Sequence, residues 1–166
     1  MYTDPSGYMS FPEISVGMTI SEVLSASWRF ITLSTIMGAL SGAACGAIDS
    51  VLGGNDFSQV VKDAFKGFFV GAFFGCVVSA LACFAVINPI CMAVLHGVQG
   101  FTLVSSGVGV YISAKEGNVS QAIFRGILGI LAYFGTGKLI EEANVKILNG
   151  GDQSKPLAEM ALMPSN

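Results

Sequence analysis

From position 19 onward the chain alternates long apolar stretches with short polar breaks. Thr19 and Glu22 have the T-x-x-E spacing of a capping box, in which each residue's side chain satisfies the other's free amide, so a helix is predicted to start there. The nineteen residues Phe30 to Ile48 carry no charge, close to one hydrocarbon thickness at about 1.5 Å per helical residue. Gly53, Gly54 and Asn55 interrupt the pattern, and Asp56 is placed to cap a second helix. Phe57, Val60, Val61, Ala64, Phe65 and Phe68 then recur at helical spacing, with Lys62, Asp63 and Lys66 on the other face. This amphipathic segment is expected to lie at an interface before the chain dives in. From Gly67 to Ala114, forty-eight residues hold only His96, three cysteines and Tyr111 as ionisable groups. Asn88-Pro89 divides the run, because proline lacks an amide donor and disfavours helix in the residue before it. Halves at 67–87 and 90–114 are each long enough to span, which predicts a helical hairpin with Asn88 and Pro89 at its tip. Lys115 to Asn118 form a polar turn, and Asn118 with Gln121 marks another helix start. The uncharged part of that last helix, Gly126 to Gly137, is only twelve residues, so it is expected to be interfacial or helped across by snorkelling of Arg125 and Lys138.

The fold class expected is therefore all-α, with membrane-inserting helices in a domain over 19–148. Residues 1–18, punctuated by Pro5, Gly7, Pro12 and Gly17, read as a leader or linker. Residues 149–166, with Gly150, Gly151, Pro156 and Pro164, read as a flexible tail.

Composition supports a lipid environment. Charged residues are 11% of the 166, against roughly 25% in an ordinary globular protein, and 52% are hydrophobic, leaving too few charges to clothe a water-facing surface. The net charge of −3, from 8 basic and 11 acidic side chains, offers no field to gather phosphates, so nucleic-acid binding is not expected. Cys45, Cys76, Cys83 and Cys91 lie in apolar stretches without C-x-x-C pairing and read as small buried residues. The first residues have no basic region ahead of a hydrophobic core, so a secretory signal peptide is not expected there.

Two glycine ladders are the most informative feature. Gly38, Gly42 and Gly46 are four apart, as are Gly67, Gly71 and Gly75. Residues four apart share a helix face, and glycine there lets a second backbone approach. In lipid, where apolar burial gives helices no reason to meet, such faces predict association, within the chain or between copies in a homo-oligomer.

Chemistry is sparse. His96 is the sole histidine, which excludes a histidine metal cluster, and its setting in an apolar run reads as a packed or pore-lining residue. Glu141 and Glu142 are adjacent, so they point to different faces and make a poor acid/base pair. Gly135-Thr136-Gly137-Lys138 lacks the spacing of a phosphate loop. No catalytic, cofactor-binding or metal-binding set is read, and an enzyme is not expected. Lys62, Lys66, Lys115 and Arg125 flank the predicted hairpin on one membrane side, with its tip on the other.

Tyr2-Thr3-Asp4-Pro5-Ser6-Gly7-Tyr8 resembles the Tyr-x-Asp-Pro-x-Gly signature that closes the core of Rhs-repeat polymorphic toxins. In that family the signature marks the junction, often autoproteolytic, between an encapsulating β-shell and a variable C-terminal toxin. Asp4, Pro5, Gly7 and Tyr8 would form that processing junction, with Tyr8 departing from the usual leucine or tryptophan. The glycine-laddered segments and the stretch from Gly107 to Ile140, with Lys115-Glu116-Gly117-Asn118, are also similar in style to such C-terminal parts. The resemblance implies the toxin fragment of an effector delivered by a type VI secretion apparatus. It would be held in the Rhs shell before release, countered by a cognate immunity protein, and inserted into the target's inner membrane as an ion-conducting, depolarising pore. The alternative is a translocation or anchoring segment with no killing activity of its own.

Overall fold

The computed structural model describes residues 11–152, with side chains described to residue 149, and contains four α-helices and no strand among them. They are α1 (Ile20–Leu52), α2 (Phe57–Ala85), α3 (Pro89–Lys115) and α4 (Val119–Asp152). All four are long and apolar enough to cross a membrane. Lengths of 27 to 34 residues correspond to about 40–51 Å, against roughly 30 Å of hydrocarbon.

Local chemistry sets the boundaries. Thr19 and Glu22 form the reciprocal capping box of α1, with the Thr19 amide donating to Glu22 at 2.8 Å. Asp56 caps α2, and Asn88 caps α3 ahead of Pro89, whose missing amide costs nothing in a first helical turn. The Asn118 carboxamide oxygen accepts from the Gln121 amide at the start of α4. Gly54 and Gly117 have φ of +76° and +78°, which only glycine adopts without strain. They sit in the two tight turns, 53–56 and 116–118, that reverse α1 into α2 and α3 into α4.

α1 packs chiefly on α2, and α3 on α4; the two antiparallel hairpins meet mainly where α2 approaches α3. This changes the expected pairing. α2 does turn into α3 at Asn88-Pro89, but the intimate hairpins are α1–α2 and α3–α4. The turns at Gly54 and Gly117 share one end of the bundle, here end A, where Asn118 Nδ2 donates to the Leu52 carbonyl at 2.7 Å. Lys62, Lys66, Lys115 and Arg125 all belong to that half, and the Asn88-Pro89 turn lies at the opposite end, end B.

The amphipathic start of α2 is continuous with the rest of that helix rather than a separate interfacial segment. α4 is likewise one uninterrupted helix of spanning length, and it continues past Leu148 to Asp152. Residues 11–18 are non-helical yet pack on the bundle. Ile14 is buried with Val23, Phe30, Cys83, Val86 and Ala143, and the Phe11 ring lies 5.5 Å from that of Phe30. This apolar cluster ties α1, α2 and α4 together at end B.

The distribution of side chains is compatible with a lipid-solvated protein. Fully buried positions include Ser27, Ser79 and Ser113, whereas Phe65, Phe69, Phe73, Phe101, Leu131 and Phe134 are each more than 60% exposed. A water-soluble domain buries such rings and rarely exposes apolar patches of this extent. Here they form the outer surface of helices that associate through small residues.

Candidate functional site

The α1–α2 seam is built from residues of four-residue spacing. Gly38, Gly42 and Gly46 on α1 face Gly71, Gly67 and Asp63 on α2, while Gly75 faces Ser34. A Cβ added to any of the six ladder glycines would collide with a carbonyl oxygen of the other helix, so the two backbones are in direct contact. Such proximity lets dispersion and weak Cα–H···O contacts act where hydrophobic burial supplies no driving force. The structure thus brings both ladders together within one chain.

The α3–α4 seam uses polar side chains instead. Gln99 Nε2 donates to the Tyr133 carbonyl at 3.1 Å, Ser106 Oγ to the Arg125 carbonyl at 2.7 Å, and Ser113 Oγ lies 3.4 Å from Gln121 Oε1. Gly129 accommodates Ser106 across this seam. Gln99, Ser106 and Ser113 are spaced by seven, a regularity that the sequence itself displays.

At end A the two hairpins are joined by a polar clasp. Arg125 grips Asp49 in a bidentate pair, Nε to Oδ1 and Nη2 to Oδ2, both at 2.8 Å. Its Nη1 donates to Ser113 Oγ at 2.8 Å, and Gln121 Nε2 donates to the Asp49 carbonyl at 3.1 Å. On the next residue of α1, Ser50 Oγ donates to Asp63 at 2.9 Å, and Asp63 also accepts from Gln59 and pairs with Lys66. The last turns of α1 are therefore tied to α2 and α4, and through Arg125 to α3. Arg125 does not snorkel: its charge is met inside the bundle by the carboxylate from α1. That pairing explains how α4 extends as a span despite an arginine in its second turn.

Between the clasp and the apolar cluster of end B, α1 and α4 stand apart. The space between them is a crevice of about 1090 Å³. α1 lines it with Ser34, Gly38, Ser41, Gly42 and Cys45, α2 with Gly71, Phe74, Gly75 and Val78, and α3 with Thr102. α4 contributes Leu128, Ala132, Gly135, Thr136 and Leu139, together with Lys138, Glu142 and Lys146. The last three are four residues apart and share one helix face. Lys138 is exposed to the crevice, and among the described residues neither it, Glu142 nor Lys146 forms a salt bridge. Charged groups here require water or ions as partners, because hydrocarbon offers none.

His96 lies exposed on α3, its Nδ1 2.9 Å from the Met92 carbonyl, and is not among the crevice-lining residues. Asn88 and Pro89 are exposed at the α2–α3 turn. The junction residues Asp4, Pro5, Gly7 and Tyr8 lie outside the described residues. Among the described residues no cluster of three or more His, Cys, Asp or Glu side chains has the geometry to hold a metal ion. Of the cysteines, Cys83 is buried, Cys45 and Cys91 are half-buried and Cys76 is exposed. No protein family, curated protein or solved structure matches this chain.

Proposed function

We propose that this chain is a membrane-depolarising toxin that inserts into the inner membrane of a target bacterium and conducts ions along the crevice between its hairpins. The observation that carries the proposal is the crevice itself, charged along one wall by Lys138, Glu142 and Lys146, within helices whose outer faces are apolar. A mere anchor needs the apolar exterior but has no use for a charged interior groove, since unpaired charges within a span are costly and mark ion or substrate paths. The Asp4-Pro5-Ser6-Gly7 signature supports an origin as the released fragment of an Rhs-type effector, sheltered by its shell until delivery and neutralised in the producer by a cognate immunity protein.

Expression of the chain in a bacterium lacking any immunity protein, followed with a voltage-sensitive dye, tests this reading. Loss of membrane potential before loss of membrane integrity to large dyes is expected. Full membrane association with an undisturbed potential would identify an anchoring or translocating segment instead.

A further inference from the structure

We infer that the crevice admits small inorganic anions in preference to cations, with Lys138 as the residue that sets this preference; the inference rests on the ion-conducting reading above. Its walls differ sharply in charge. The lining residues from α1, α2 and α3 are all uncharged, so the formal charge of the crevice comes from α4 alone: positive at Lys138 and Lys146, negative at Glu142. Asp49, the acidic group nearest the foot of the crevice on α1, is already held by two hydrogen bonds from Arg125.

Depth decides among the three. Counted along α4 from the clasp, Lys138 lies about 20 Å up, Glu142 about 26 Å and Lys146 about 32 Å, so Lys138 is the innermost charge. Glu142 and Lys146 sit nearer end B and are half-buried, whereas Lys138 is exposed in the middle of the helix. An ion moving inward past them meets the Lys138 ammonium, which forms no salt bridge among the described residues. Fields are focused in such low-dielectric clefts, and charged side chains lining a pore set its selectivity. Ser41, Thr102 and Thr136 donate to the carbonyls of Met37, Gln99 and Ala132 on their own helices, leaving neutral oxygen dipoles that are weaker than the full charge of Lys138.

Cys45, half-buried and lining the foot of the crevice, supplies a native reporter. The full chain is reconstituted in neutral phosphatidylcholine vesicles and treated with an anionic sulfonatoethyl or a cationic trimethylammonioethyl methanethiosulfonate. Modification of Cys45 is followed by mass spectrometry, each rate being normalised to that of free cysteine. Cys45 lies about 13 Å below Lys138 along the bundle. One charge at that distance in a half-hydrated cleft speeds the anionic reagent and slows the cationic one by about threefold each, a preference of about ninefold. Lys138→Gln removes the preference, Lys138→Glu inverts it, and Glu142→Gln enlarges it. Equal normalised rates, a faster cationic reagent, or a preference untouched by Lys138→Gln would overturn the inference while leaving a wet crevice in place. Protection of Cys45 from both reagents would instead sink the conducting reading on which it rests.

Discussion

The Gly42→Leu variant fails to seat α1 on α2 and loses conductance. A Cβ at position 42 meets the Gly67 carbonyl oxygen and comes within 3.0 Å of the Gly71 Cα, so the obstacle is backbone on both sides and no rotamer relieves it. The helices must separate along the whole seam, because Gly38 and Gly46 are in equally close contact one turn on either side. Overpacking a well-fitted interior costs about 1–3 kcal/mol where side chains adjust, and more is expected where only backbone can move. Unfolding in detergent micelles, followed by circular dichroism or by protease sensitivity of the 53–56 turn, measures the loss. Gly97→Leu is the control. A Cβ there meets nothing within 4 Å, so the same change in residue type leaves stability near that of the parent chain. Equal destabilisation of the two variants would mean that glycine acts through helix flexibility rather than through close approach.

Cutting the clasp has the second largest effect. Asp49→Asn leaves the Arg125 guanidinium without its carboxylate in a site where both side chains are less than one third exposed. Removing one partner of a fully buried pair costs roughly 3–5 kcal/mol; this pair is only partly buried, which brings the loss down to about 1–3 kcal/mol. The same measurement on Asp49→Leu with Arg125→Leu separates causes. With both charges gone no desolvated ion remains, and most of the stability lost in Asp49→Asn returns. The reversed pair, Asp49→Arg with Arg125→Asp, restores less, because Ser113 on α3 is placed to accept from a guanidinium on α4. If Asp49→Asn matched the parent chain, the hairpins would be held by the apolar cluster of end B and the clasp would be incidental.

The elements that local chemistry controls are legible in the sequence. Thr19 with Glu22, Asp56, Asn88-Pro89 and Asn118 each announce a helix start within one turn, because a cap needs only neighbours in the chain. The four-residue spacing of Gly38 to Gly46 and of Gly67 to Gly75 is legible as two faces that permit close approach. Their choice of each other is a tertiary fact, and the hairpin suggested by Asn88-Pro89 is looser than the two on either side of it. α4 illustrates why charge counting along one helix falls short. Arg125 and Lys138 appear to truncate its span, yet one is neutralised from seventy-six residues away and the other faces a crevice. The packing of Ile14 and Phe11 is equally non-local: a Pro- and Gly-punctuated segment gives no sign that it closes the end of a bundle. Arg125 and Asp49 were each visible as lone charges at the borders of apolar runs. Only the meeting of the two turns at end A makes them a clasp.

On the proposed function, these four helices carry current once in a bilayer. Purified chain added to one side of a planar phospholipid bilayer under an applied voltage tests it most directly. Discrete current steps are predicted, abolished by Gly42→Leu and retained by Gly97→Leu. A bilayer that stays electrically silent while the chain is demonstrably inserted in it would contradict the account.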